Sequence, residues 1–116
     1  MPLNDKDAAY LWDMLDSART INNFVSGVSF SQYMKNRQLQ LAVERSLEII
    51  GEAARRVSKI FQIEHSEIPW QNIIAQRNVL IHEYGEIKQE LIWKVATVRI
   101  QELITALEPL VPVPPS

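Results

Sequence analysis

Residues 39–61 read LQLAVERSLEIIGEAARRVSKIF. Leu39, Val43, Leu47, Ile50, Ala54, Val57 and Phe61 recur at gaps of 4, 4, 3, 4, 3 and 4. That spacing is close to the period of about 3.5 residues that lets one helix lie along another in a bundle. Ala42, Ile49, Ala53 and Ile60 widen the apolar face, so this helix is predicted to touch more than one neighbour. Upstream, Ser29-Phe30-Ser31-Gln32 has the form of a capping box, which places the helix start there, with a break near Asn36.

The flanking sequence reads as helix too. Asn4 is a good N-cap, and Asp5 and Asp7 suit the positive end of a helix dipole. Ala8, Leu11, Leu15 and Ala18, with Trp12 beside them, give the first helix an apolar face, and Gly27 ends it. Gln62 to Glu67 is polar and reads as a loop. Pro69 suits the first turn of a third helix reaching about Tyr84, with Gly85 placed to stop it. A fourth helix is expected from about Glu86 to Glu108, with Ile92, Ala96, Ile100, Leu103, Leu107 and Leu110 as its stripe. Pro109, Pro112, Pro114 and Pro115 make residues 109–116 an extended tail. No run of β-branched residues alternates with polar ones for long, and no Asn-Gly or Asp-Gly turn appears. The expectation is an all-α, up-and-down four-helix bundle formed by a single domain over 1–116.

Composition narrows the chemistry. The chain has 116 residues, 47% of them apolar, enough for one domain with a real core. Twelve basic residues against 14 acidic ones give a net charge of −2. That balance argues against coating nucleic acid through bulk positive charge, but leaves room for a local basic site. With no cysteine, a disulfide scaffold, a thiolate metal site and a cysteine nucleophile are excluded. Three glycines cannot build a phosphate-cradling loop. No basic leader followed by an apolar run is visible, and no apolar stretch approaches the roughly 20 residues of a membrane span. No His/Asp/Glu grouping has metal-ligand spacing, so no metal is expected.

The chemically dense stretch is Arg77-Asn78-Val79-Leu80-Ile81-His82-Glu83-Tyr84. At about 100° per residue, Arg77 and Tyr84 fall on nearly one line, and Asn78 and His82 align one turn apart. A guanidinium, an amide, an imidazole and a phenol thus share one broad arc of a short helix. Arginine is a forked donor that matches a phosphate, and histidine exchanges protons near neutral pH. From spacing alone these residues read equally as ordinary surface or interface positions.

Arg77-Asn78-x-x-x-His82-x-Tyr84, closing the third of four helices, resembles the signature of HEPN-domain ribonucleases. Within them it most resembles HepT, the toxin of the MNT–HEPN (type VII) toxin–antitoxin systems, whose motif is R-x4-H-x-Y. Leu47-Glu48-Ile49-Ile50-Gly51-Glu52-Ala53-Ala54 is similar to the family's Leu-Glu-x-x-Gly-Glu-Ala segment. Ile68-Pro69-Trp70 is similar to its lead into the motif helix. The resemblance spans nearly the whole chain. It implies a metal-independent endoribonuclease acting on cellular RNA, with tRNA a reported target of some members; the absence of cysteine, for its part, agrees with a reducing cytoplasm. Arg77 and His82 match the catalytic pair, and Asn78 the polar residue beside the arginine. Tyr84 matches the tyrosine to which the partner nucleotidyltransferase antitoxin transfers AMP from ATP, silencing the toxin. ATP enters only as that donor; no cofactor is implied. The family works as a two-fold homodimer with the motif helices at the interface.

The chemistry of metal-free cleavage agrees with two chains per site. A proton must leave the 2′-hydroxyl and another must reach the leaving oxygen, and one imidazole cannot do both in a single step. With one histidine in the motif, a two-fold dimer supplies the second. Arg77 would hold the scissile phosphate and stabilise its extra charge, and Asn78 would orient His82 or the phosphate. A nucleotide on Tyr84 would add charge and bulk beside Arg77.

Other positions carry plainer readings. Glu52 reads as a surface or helix-pairing carboxylate, or, by the resemblance, as a group near the motif that pairs with Arg77. Arg45, Arg55 and Arg56 read as an RNA path or, alternating with Glu44, Glu48 and Glu52, as a solvated helix face. Trp12, Trp70 and Trp93 read as core or interface, and His65 as a loop residue without a special role. A non-catalytic helical module that binds a nucleotide or a protein is the competing function.

Overall fold

The computed structural model of the chain describes residues 3–83, 85 and 87–111. Helix α1 spans Asp5–Val25 and opens where Asn4 Oδ1 accepts the Asp7 amide at 2.8 Å. Gly27 then turns the chain with φ at 75°, a left-handed conformation that favours glycine. A capping box of Ser29 and Gln32 starts the short helix α2, Phe30–Met34. Asn36 caps α3, Arg37–Arg56, accepting the Leu39 amide at 3.0 Å. Helix α4 covers Lys59–Glu64 and α5 covers Trp70–His82. The last helical run consists of α6, Gln89–Lys94, a wide π turn at Val95–Arg99, and α7, Ile100–Leu107. Among the described residues there is no strand, and the expected all-α bundle is what forms.

The layout follows from two broad apolar faces. Helix α3 packs on both α1 and α5, and α1 also contacts the π turn and α7. Leu11, Met14, Ala18 and Ile21 of α1 meet Val43, Leu47, Ile50 and Ala54 of α3 within one buried cluster. Trp70 and Leu80 are the buried residues of α5. Trp70 and the half-buried Trp12 and Trp93 serve the core, as their positions beside the stripes suggest.

Five expectations need correction. The stretch from Ser29 to Phe61 is three helices: a break at Lys35–Asn36 falls where expected, and a second at Val57–Ser58 was not anticipated. That second break has a cause far off in sequence. The buried carboxylate of Asp7 accepts the Ser58 amide at 2.9 Å and its hydroxyl at 2.6 Å, so this amide is taken from the helix ladder. Ile49 and Ile60, expected on the apolar face, are 37% and 60% exposed.

The supposed loop 62–67 is partly helix. Gln62 is buried in α4 and donates through Nε2 to the carbonyls of Ala54 (3.2 Å) and Val57 (3.0 Å). It thereby adds a partner to carbonyls at the end of α3, where the helix ladder stops; the Ala54 carbonyl also accepts the Val57 amide at 3.3 Å. The third helix stops at His82 rather than Tyr84, which lies outside the described residues, as does Glu86. The fourth begins at Gln89 and is not uniform. Within its π turn the Ile100 amide reaches back to the Val95 carbonyl, and the Thr97 hydroxyl donates to the Trp93 carbonyl at 2.7 Å. Of the proline-rich tail, residues 112–116 lie outside the described residues.

Candidate active site

The site begins with an absent side chain. Where α5 crosses α3, a Cβ on Gly51 would lie 2.2 Å from Arg77 Cβ, 2.8 Å from Arg77 Cγ and 3.2 Å from the Ile73 carbonyl. Only glycine lets α5 come this close, and the closeness brings the Arg77 side chain against α3. Gly51 stands in the segment quoted above, but its reason was not read from the sequence. An isolated glycine inside a strongly periodic helix is the signal that could have revealed it.

The next residue completes the contact. Glu52 Oε2 lies 3.0 Å from Arg77 Nη2, with the two side chains 32% and 22% exposed. Glu52 Oε1 accepts from Arg55 Nη2 and from Arg56 Nε, both at 2.9 Å. Hydrogen bonds from Arg55 first, and then Arg56, hold the Glu52 carboxyl down at about 2 against an ordinary 4.5. Three guanidiniums thus converge on one carboxylate. The pair with Arg77 is ionic without hydrogen-bond alignment, since Glu52 Oε2 and Arg77 Nε are both buried and lack a hydrogen-bond partner. Arg77 uses its remaining arm, Nη1, to donate to Asn78 Oδ1 at 2.9 Å.

The other motif residues stand apart from this cluster. Asn78 is exposed, and its carbonyl oxygen serves Arg77 rather than His82. His82 is the last residue of α5 and exposed, and its imidazole makes no hydrogen bond or ion pair to another described residue. Tyr84 lies outside the described residues. His65 stacks on Phe61 with ring centres 4.2 Å apart and sits 3.3 Å from Glu67, away from the motif residues. Among the described residues no group of His, Asp and Glu is gathered as a metal site, and no helix is long and apolar enough to cross a membrane.

Arg77 opens onto a surface hollow of about 310 Å³ between α1, α3 and α5. Tyr10 and Asp13 of α1, Arg45 and Ile49 of α3, and Ile81 of α5 line it beside Arg77 and Glu52.

Residues 14–110 match the family model described as Ribonuclease HepT-like. The chain belongs to the HepT-like ribonuclease family. The matched span holds Gly51, Glu52, Arg77, Asn78, His82 and Tyr84, while Tyr10 and Asp13 precede it. A relative from Methanocaldococcus jannaschii, named "Putative RNase MJ1380", is 37% identical over 75% of this chain and 80% of its own length. A Caldanaerobacter subterraneus protein, "Putative RNase TTE0752", is 39% identical over 81% and 84%. "Probable ribonuclease HepT" of Thermococcus cleftensis is 34% identical over 87% and 92%. No solved structure matches the chain. Membership in the HepT-like family supports an RNA-cleaving enzyme whose substrate is RNA.

Proposed function

We propose that this ribonuclease is the toxin of a toxin–antitoxin pair and cuts cellular RNA, tRNA among the targets, without a metal ion. The observation that carries this reading is the placement of Arg77. It is a half-buried guanidinium held at the α3–α5 contact by Gly51 and Glu52 and open to a hollow, one turn and a half before an exposed histidine. Arg77 binds the scissile phosphate and stabilises the charge it gains. His82 takes the proton of the 2′-hydroxyl. The freed oxygen attacks phosphorus, and the bond to the 5′-oxygen breaks. The partner subunit's His82 gives that oxygen a proton, leaving a 2′,3′-cyclic phosphate and a 5′-hydroxyl. The homodimer follows from this need for two imidazoles, and a purified chain should sediment at twice its monomer mass. Asn78 steadies Arg77 and through it the phosphate.

Tyr84 is the residue to which an MNT-type nucleotidyltransferase antitoxin transfers AMP from ATP. The added phosphate competes with RNA for Arg77, which silences the enzyme. The reaction and its partner place the protein in the cytoplasm. A non-catalytic nucleotide- or protein-binding module is the second reading, favoured by a His82 that no described side chain orients. One experiment separates the two: expression of the wild type, Arg77→Ala and His82→Ala, followed by sequencing of RNA ends. The ribonuclease reading expects growth arrest and new RNA ends in the wild type, with activity lost roughly 10²–10⁴-fold in His82→Ala. Unchanged cutting by His82→Ala would sink it.

A further inference from the structure

The hollow beside Arg77 has a composition that a phosphate site would not have. Its walls carry three guanidiniums, of Arg45, Arg56 and Arg77, and three carboxylates, of Asp13, Glu48 and Glu52. A second phosphate entering there would meet as much negative as positive charge. Arg45 is already paired with Glu48 at 3.1 Å, and Arg56 with Glu52 at 2.9 Å. What remains is suited to a neutral, flat, hydrogen-bonding group. Ile49, Ala53 and Ile81 supply apolar wall. Tyr10 supplies an aromatic ring, half-buried and packed against the core, so its position is fixed. Asp13 is exposed, and its carboxylate makes no hydrogen bond or ion pair to another described residue. The volume, about 310 Å³, lies at the low end of the roughly 300–1,000 Å³ typical of small-molecule sites. That admits one nucleoside and no duplex.

We infer that this hollow is a base-binding subsite for one unpaired nucleotide of the RNA, next to the phosphate held by Arg77. It rests on the ribonuclease reading above and extends it to substrate selection. The base stacks against Tyr10, as single-stranded RNA does on aromatic side chains throughout protein–RNA recognition. The Asp13 carboxylate accepts from its ring or amino N–H groups, which ranks the bases by the donors they present. Both residues lie on α1, ahead of the span that the family model matches, so the subsite separates this chain's target choice from the cutting machinery on α3 and α5. It also limits the substrate: a base reaches the hollow only if it is free of its own stack and partner strand, as in loops and ends.

The test uses the full chain and short single-stranded RNAs of random sequence, with steady-state kinetics and sequencing of the cut ends. Tyr10→Leu keeps apolar bulk against the core and removes the ring; Tyr10→Phe keeps the ring and removes the hydroxyl. The subsite expects Tyr10→Leu to raise KM about ten-fold, the loss of one stacked base, with kcat little changed, and Tyr10→Phe, which keeps the ring but loses the hydroxyl beside Arg56, to raise it less. Asp13→Asn should alter which base flanks the cut while leaving the thermal midpoint in place. Unchanged KM in Tyr10→Leu together with an unchanged cut pattern in Asp13→Asn overturns the subsite. Arg77→Ala, run alongside, tells this failure from the other one: if it cuts like the wild type, the ribonuclease reading of the motif falls, and the subsite with it.

Discussion

Gly51 and Glu52 are adjacent and act on the same arginine by opposite means, one by leaving space and the other by filling it with charge. Gly51→Ala would force a methyl group into the Cβ of Arg77, a part of the side chain that cannot swing away. Helix α5 must then move off α3, at a cost of about 1–3 kcal/mol. The expected result is a lower thermal midpoint and lost RNA cutting together. Glu52 leaves a different signature. Its carboxyl sits at about 2 in the fold against 4.5 ordinarily, so its ionised form stabilises the protein above pH 4.5. That contribution is lost as the pH falls from 4.5 to about 2. Glu52→Gln has no proton to gain. It should therefore melt below the wild type at neutral pH, and the gap should close in acid, as thermal denaturation over that range would show. Arg77 and His82 were singled out by the resemblance of their motif to a known family, since spacing alone left them as ordinary surface positions. The carboxylate that meets Arg77 was open between two readings, because pairing across helices depends on which faces meet.

The helices teach where local pattern stops. The caps at Asn4 and Ser29 and the break near Asn36 were legible, since each depends on residues within a turn of one another. The break at Val57–Ser58 was not, because its cause is Asp7, 51 residues earlier. Gln62 hid in the same way: a polar residue before a polar run reads as loop until the two carbonyls it serves are seen. These contacts make a prediction about the corner between α3 and α4. Asp7→Ala strands the Ser58 amide and hydroxyl and loses two hydrogen bonds to a buried charge, about 2 kcal/mol or more. A fall of roughly 6–12 °C in the thermal midpoint is expected for a domain of this size. Asp7→Asn, which keeps an acceptor, should recover part of it.

Across the whole molecule, the order of packing explains why an acidic chain can serve RNA. The net charge of −2 is spread along helix faces, where Arg45 faces Glu48 and Arg99 faces Glu102. At Glu52, by contrast, three guanidiniums gather round one carboxylate. In the proposed reading, binding depends on a local arrangement between α1, α3 and α5, and not on the overall field. That arrangement makes the phase of α3 critical, while the last helix tolerates more. Removing one residue rotates everything beyond it by about 100° relative to what came before. In α3, loss of Glu48 would turn Gly51 and Glu52 away from Arg77 and should abolish cooperative melting. The turn at Val95–Arg99 already holds one residue more than an ordinary turn needs. Deleting the exposed Val98 there should tighten it to regular helix, keep Ile92 and Ile100 inward, and leave the melting curve close to the parent's. The wide turn is in this sense a length reserve. The chain can be shortened there without re-indexing the helices that carry the site.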